Sequence, residues 1–396
     1  MGEPVRLPPE FTLLQVVPEL ETGGAEQTTL DIARAVVRAG GRALVASRGG
    51  RMADQLAAVG GRLIPLPMQS KNPLTLIANA GRLAVILQRE NVSLVHARSR
   101  APAFSAYEAA RVMRVPFVAT YHGVYKSGSS IKRWYNGIMT RGDLVIANSD
   151  YTRDHVLSEH PEAAGKIVAI PRGVDLQRFD PRAVNAARRK ALAQAWGLAE
   201  GDGRARILLA GRLTRIKGHL TIIEAAARLK AAGRSDFVIL FAGDDQGRTG
   251  YRQEVEAAII QAGLSDQVRL VGHCADMPAA YLLCDLALLP TTKPESFGRA
   301  AVEPQAMGRP VIASAHGGTV ETVVDGVTGW LAAPGETDAW AAAIRTALDL
   351  GPDGRRRMGE AGAKRARRLY SVDAMCEATL EAYRRVLAAR LTKVGT

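Results

Sequence analysis

The chain has 396 residues, 47% of them hydrophobic and 5% aromatic, with a formal net charge of +13. That length suits two domains of ordinary size, and that composition suits packed cores rather than a disordered or fibrous chain. The charge calls for an anionic partner, a nucleoside diphosphate or an anionic membrane face; nucleic acid fits worst, because no nucleic-acid-binding motif and no basic strand interleaved with aromatics is present.

The three cysteines, Cys274, Cys284 and Cys376, form no Cys-x-x-Cys pair and have no histidine at a zinc-ligand spacing. A reducing compartment and no structural metal are expected. The first ten residues lack a basic segment and lead into only a short apolar stretch, so no signal peptide is expected. With no uninterrupted run of about 18 apolar residues, the expected location is the cytoplasm, with peripheral contact at the inner face of the cell membrane.

From Phe11 onward, short apolar runs alternate with amphipathic ones. Strands are expected at Phe11–Val17, Ala43–Ala46, Leu63–Leu66, Leu94–His96, Phe117–Thr120, Leu144–Asn148 and Ile167–Ile170. Helices are expected between them, for example over Glu26–Ala39, Leu74–Glu90, Ala103–Met113 and Asp150–Ser158. After the turn at Pro171–Asp175 and an Ala-rich charged stretch, the pattern restarts with Arg206–Ala210, Phe237–Ala242, Val268–Val271, Leu286–Leu289 and Val311–Ala313. Such alternation predicts an α/β fold of two doubly wound parallel domains, residues 1–181 and 182–371, with a last helix over 372–396.

The ends of these strands carry the chemistry. Pro18-Glu-Leu-Glu-Thr-Gly-Gly-Ala-Glu26 follows the first strand and opens its helix, and the Gly23-Gly24 turn can aim backbone amides at an anion or a sugar hydroxyl. His122 closes the fifth strand. In the second half, Arg212 and Lys217 stand in a strand-to-helix loop where a diphosphate would sit. The loop Val271–Met277, which contains Cys274, ends another strand. At Pro294-Glu-Ser-Phe-Gly-Arg-Ala-Ala-Val-Glu303, a strand gives way to a helix predicted from Arg299 to Met307. The amides of Ser296, Phe297, Gly298, Arg299 and Ala300 would form its mouth, Gly298 would let a phosphate or sugar approach the main chain, and Glu295 and Glu303 would bracket a sugar diphosphate. A Glu-x7-Glu spacing arises about once by chance in a chain this long; the strand–turn–helix setting carries the signal. Asp244-Asp245 is not a metal-binding Asp-x-Asp pair, and no other carboxylate cluster offers several oxygen ligands.

The segment from Pro294 to Gly318, with Gly317–Gly329 after it, resembles the Glu-x7-Glu signature of the retaining family-4 glycosyltransferases, and the Gly-Gly-Ala-Glu, Tyr121-His122-Gly123, Arg212-x4-Lys217 and Pro171–Asp175 motifs are similar to theirs as well. The resemblance implies a GT-B fold, two Rossmann-like domains facing across a cleft, with the last helix crossing back to the first. It implies Arg212 and Lys217 on the diphosphate, Glu295 beside the transferred sugar, Glu303 on the ribose, His122 near the donor sugar or acceptor, Gly23 and Gly24 across from the donor, and the main chain near Cys274 at the base. Asp245, where many relatives have a second glycine, and Arg172, where they have asparagine, are departures.

The implied donor is a nucleoside-diphosphate sugar, a UDP-sugar favoured over a GDP-sugar, with no cofactor and no metal. The acceptor would be a glycan or lipid-linked hydroxyl in cell-envelope glycan, glycolipid or lipopolysaccharide assembly. Lys126, Lys132, Arg133 and Trp134 mix cations with an aromatic and suit an anionic membrane surface. A GT-B-like sugar-nucleotide epimerase and a non-catalytic sugar-nucleotide- or glycan-binding module are the alternatives.

Overall fold

Thr12–Val16 is buried along its whole length, so it reads as a continuous apolar run rather than an alternating one, as a parallel strand covered on both faces must. The computed structural model describes residues 6–21, 23–125, 128–199, 201–247 and 249–394. They divide into two units, Met1–Gly173 with Val372–Thr396, and Val174–Ser371.

The first unit holds a seven-stranded parallel sheet: β1 (Thr12–Val16), β2 (Arg42–Ser47), β3 (Arg62–Pro65), β4 (Leu94–Ala97), β5 (Phe117–Tyr121), β6 (Leu144–Ala147) and β7 (Ile167–Ala169), in the order β3-β2-β1-β4-β5-β6-β7. The order reverses direction between β1 and β4, which pair in register Gln15 to His96 and Val16 to Ala97. In open parallel sheets, the crevice beyond the strand ends at such a reversal is where ligands bind.

The second unit repeats the plan with six parallel strands, β8 (Ala205–Ala210), β9 (Phe237–Ala242), β10 (Val268–Gly272), β11 (Leu286–Leu289), β12 (Val311–Ser314) and β13 (Gly329–Ala332). Their order is β10-β9-β8-β11-β12-β13, with the reversal between β8 and β11. The sixth strand, β13, is absent from the sequence pattern because its four residues begin on Gly329 and only half of them are buried.

The chain leaves the first unit at Gly173, not near Pro181. Val174, Phe179 and Val184 pack with Trp196, Leu208 and Leu240 in the second core, and the Val174 N–H donates to Tyr370 O at 2.7 Å. The helix Val372–Val394 belongs to the first unit. There Met375, Leu380, Tyr383 and Val386 pack with Phe11, Leu13, Leu30 and Ile32. Tyr383 also reaches the sheet: its hydroxyl lies 2.5 Å from Nδ1 of the buried His96, whose Nε2 meets Thr120 Oγ1 at 2.7 Å.

Candidate active site

The candidate residues lie beyond strand ends: Arg212, Lys217 and Glu295 at the β8–β11 reversal, Cys274 after the edge strand β10, Gly23 and Gly24 after β1, and His122 after β5. In the second unit, β8 runs into Gly211 and Arg212, and β11 into Pro290 and the loop that bears Glu295. Two contacts fix the loops on each other: Gly218 has φ 72°, and a Cβ there would overlap the Pro290 carbonyl, while the Thr292 N–H donates to Ile216 O at 3.0 Å. Only glycine fits at 218.

This close approach brings Lys217 and Glu295 together: Nζ donates to Oε1 at 2.6 Å, with the two side chains 18% and 28% exposed. On its other side the Glu295 loop is held by Gly318, whose N–H donates to Glu295 O at 2.7 Å. Arg212 is exposed, and its Nη1 lies 3.4 Å from Gln246 Oε1. Arg215, whose side chain is mostly exposed, pairs with Glu254 at 2.6 Å.

The helix begins at Arg299, with the left-handed Gly298 as its cap residue and no side-chain cap. Ala301 N–H already donates to Gly298 O at 2.8 Å, so the amides of Arg299 and Ala300 are the donors this end can offer. Gly298 has two structural reasons to be glycine: φ is 80°, and a Cβ would stand 3.0 Å from Thr319 Cγ2. The space on the side where a Gly298 Cβ would stand is thus taken by Thr319 and Thr322. Phe297 turns its ring into the core, edge-on to Tyr370 with centroids 5.5 Å apart, so only its main chain is placed for a ligand. Ser296 is half-buried and Ala300 packs with Ala301 and Val311.

Glu303 is the fifth residue of this helix, one turn in, and largely buried. Burial raises its carboxyl pKa; Arg299, 3.2 Å away, and the Tyr281 hydroxyl, which donates to Oε2 at 3.3 Å, pull the other way. The Tyr281 phenol is pushed well above its usual range, first by burial and then by Glu303. Cys274 is half-buried, and burial pushes its thiol up. Asp245 forms a turn by accepting from the Gly247 N–H at 2.9 Å, and Gln246 between them has φ 51°. A cavity of about 110 Å³ beside this turn is lined by Gly243, Asp244, Gly272 and His273 among others.

In the first unit, Gly24 starts the helix Gly24–Arg38 and Gly23 precedes it without a side-chain cap. A Cβ on Gly24 would overlap the Arg172 guanidinium, so the glycine admits that cation to the helix start. His122 follows β5, and its carbonyl accepts from Asn148 Nδ2 at 3.1 Å. Burial, then the charges of Arg172 and Arg98, hold its imidazole well below the usual range, so it is neutral at physiological pH. Arg98 is 2% exposed and gives two hydrogen bonds to Gln15 Oε1, at 3.0 and 2.6 Å. Gln15 Nε2 in turn donates to Thr29 O, tying the helix to β1. Sequence reasoning missed Arg98, Gln15 and Tyr281. Arg172 was noticed as a departure in a turn, and that departure was the signal.

A cavity of about 790 Å³ lies elsewhere in the first unit, between β6, β7 and the last helix, and none of these candidates lines it. Among the described residues no group of three His, Cys, Asp or Glu side chains is arranged to hold a metal ion. No described helix is long and apolar enough to cross a membrane.

Two Rossmann-like domains with these loops at the strand ends define a GT-B protein. The chain belongs to the glycosyltransferases: Glycosyltransferase Family 4 matches residues 22–178 and Glycosyl transferases group 1 matches residues 193–365. A glycosyltransferase from Rickettsia africae is 33% identical, with a TM-score of 0.88 over 96% of this chain and 99% of that one. The Anabaena protein HepE in complex with UDP is 24% identical, with a TM-score of 0.78 over 94% of this chain and 98% of that one, and shares the fold. A D-inositol 3-phosphate glycosyltransferase of Kineococcus radiotolerans is 32% identical over 65% of this chain and 60% of its own length. The chain spans between 53% and 60% of the first such relatives it matches.

Proposed function

We propose that the protein is a retaining glycosyltransferase that moves a sugar from a nucleoside-diphosphate sugar, UDP-sugar first, to an acceptor hydroxyl in cell-envelope glycan, glycolipid or lipopolysaccharide assembly. The observation that carries the reading is the pairing of Lys217 with Glu295 beyond β8 and β11, with the largely buried Glu303 one turn into the helix that follows Glu295. A cation for a diphosphate and a carboxylate for a developing positive charge meet beyond the adjacent strands β8 and β11, and a second carboxylate for hydroxyls sits in the helix that follows. The family supports the reaction class, and the UDP named with HepE supports the donor.

In the reaction the bond from the anomeric carbon to the diphosphate oxygen breaks, and a bond from that carbon to the acceptor oxygen forms on the same face. The acceptor proton passes to the departing diphosphate oxygen. Arg212, Lys217 and the amides at the start of the Arg299 helix stabilise the charge that gathers on the leaving group. His122 would serve the sugar or acceptor as a neutral hydrogen-bonding group, and Gly23 and Gly24 as backbone donors. The main chain at Cys274 holds the base. The transfer takes no cofactor and no metal.

A lipid-linked acceptor fits a peripheral membrane contact through Lys132, Arg133 and Trp134. Trp134 is 57% exposed and Arg141 lies over its ring at 5.5 Å; Arg133 is partly committed, its Nε donating to Glu159 O at 2.7 Å. Lys126, the fourth member of that group, lies outside the described residues.

Thermal unfolding with UDP, GDP and ADP tests the donor: a nucleotide at about 100 times its dissociation constant adds about 2.7 kcal/mol of stability. One nucleotide should raise the melting temperature, and nucleoside diphosphate should appear only when acceptor is supplied. No shift with any of them at saturation refutes the reading, and a sugar nucleotide that changes its sugar configuration with no release of free diphosphate points to the epimerase.

A further inference from the structure

We propose that Glu295 also acts as a product-ejecting carboxylate: by holding Lys217 it weakens the site's grip on free nucleoside diphosphate more than on the sugar donor. The inference rests on the transferase reading and extends it to product release.

A lysine ammonium is a compact point charge with three N–H donors. Here one of them is directed at Glu295 Oε1 at 2.6 Å, and both side chains are mostly shielded from water. The glycine at 218 and the bond from Thr292 to Ile216 lock the two loops together, so the pair is built in by the backbone and is not a chance meeting of surface side chains. A diphosphate that takes another N–H of Lys217 therefore meets a cation whose field is already partly cancelled. It also lies within one ammonium's width of a carboxylate, and the two anions repel. His316, whose Nε2 lies 3.0 Å from Thr291 O, also feels Glu295, and the buried His219 feels Lys217.

That repulsion is unequal along the reaction. In the donor the terminal phosphate is esterified to the sugar and carries one negative charge; once the sugar has left, it becomes a terminal phosphate with a second ionisation near pH 6, so at neutral pH it carries about 1.5 to 2 charges. Repulsion by Glu295 is thus greater for product than for donor. The carboxylate that favours positive charge at the anomeric carbon then penalises the species left behind.

The experiment measures dissociation constants of UDP and UDP-glucose by calorimetry, with GDP and ADP pairs if these bind instead, for wild type, Glu295→Gln, Lys217→Met and the double variant. Glu295→Gln should bind the diphosphate about three- to ten-fold more tightly, in line with a partly screened pair of like charges. It should bind the sugar nucleotide with a smaller gain. In the Lys217→Met background the part of the gain that comes from freeing the ammonium should vanish and only the direct repulsion remain, a coupling that a merely structural role for Glu295 does not produce. Glu295→Ala serves as a second variant should the glutamine fail to fold. Equal or weaker diphosphate binding by folded Glu295 variants, or an equal gain for diphosphate and sugar nucleotide, overturns the inference and leaves the transferase reading standing. Failure of the wild type to bind any nucleotide removes both.

Discussion

Replacing Glu303 with glutamine separates what this carboxylate does for binding from what it costs the fold. Its two oxygens are already engaged, Oε1 by Arg299 at 3.2 Å and Oε2 by the Tyr281 hydroxyl at 3.3 Å. Each oxygen keeps a lone pair, enough to accept from the two ribose hydroxyls. Glutamine keeps one acceptor oxygen, so Tyr281 retains a partner, but turns the other position into a donor. One hydrogen bond to a charged acceptor is lost, about 1.5–3 kcal/mol, and nucleotide binding should weaken by roughly 10- to 100-fold. The ribose changes little during transfer, so the donor KM should rise while kcat holds.

Stability should move the other way. Burial raises the Glu303 carboxyl above its ordinary value in the folded chain. The folded state then binds the proton more tightly than the unfolded state does. Its stabilising effect is complete below the unfolded pKa and is lost as pH rises through the raised folded value. At neutral pH the wild type bears that loss and Glu303→Gln does not. The variant should melt higher than wild type at pH 7, and the difference should shrink below about pH 4, where glutamate is protonated in both states. Melting curves from pH 3.5 to 8 and steady-state kinetics on one donor provide the measurements. A variant that melts lower at pH 7, or that loses kcat with its donor KM unchanged, refutes the reasoning.

Glu295→Gln should lower kcat by on the order of 10²-fold with a smaller change in donor KM, if its electrostatic role matches that of an oxyanion-hole donor; a change in KM alone would reverse the roles assigned to the two glutamates. Turnover should survive excess EDTA, and activity recovered only with Mg²⁺ or Mn²⁺ would overturn the metal-free clamp. Binding to anionic vesicles should appear at low salt and fade as salt is added, with loss on replacing Lys132, Arg133 and Trp134 together; equal binding to neutral vesicles would refute the electrostatic basis.

The parallel strands were legible because their apolar runs are nearly continuous and are broken at turn residues. Leu286–Leu289 and Phe237–Ala242 are buried at every position. Side chains that announce themselves by type and place, such as Lys217 and Glu295, were legible for the same reason. The partnership between them was not. It depends on the close approach of Gly218 to Pro290, a contact between residues far apart in sequence. Tyr281 sits in a short helix among apolar neighbours and reads as core; only the fold turns its hydroxyl to Glu303. Arg98 escaped notice because a cation after a strand reads as solvated, whereas the sheet and the Gly24 helix enclose it. The boundary was misplaced because a proline after a charged turn is a local signal, and the burial of Phe179 and Val184 in the second core is not.

The excursion of the chain out of the first unit at Gly173 and back at Val372 has a consequence for synthesis on the ribosome. Residues 174–371 are contiguous and can fold as soon as they emerge. The first unit cannot close its core until its last helix follows, because Tyr383, Leu380 and Val386 cover Phe11 and Leu13 from the far end of the sequence. While the second unit is being made, the sheet before it therefore waits with an apolar face open, and a segment made after that unit completes it. A nascent chain arrested before residue 372 should expose that face to chaperones while its second unit is already protease-resistant.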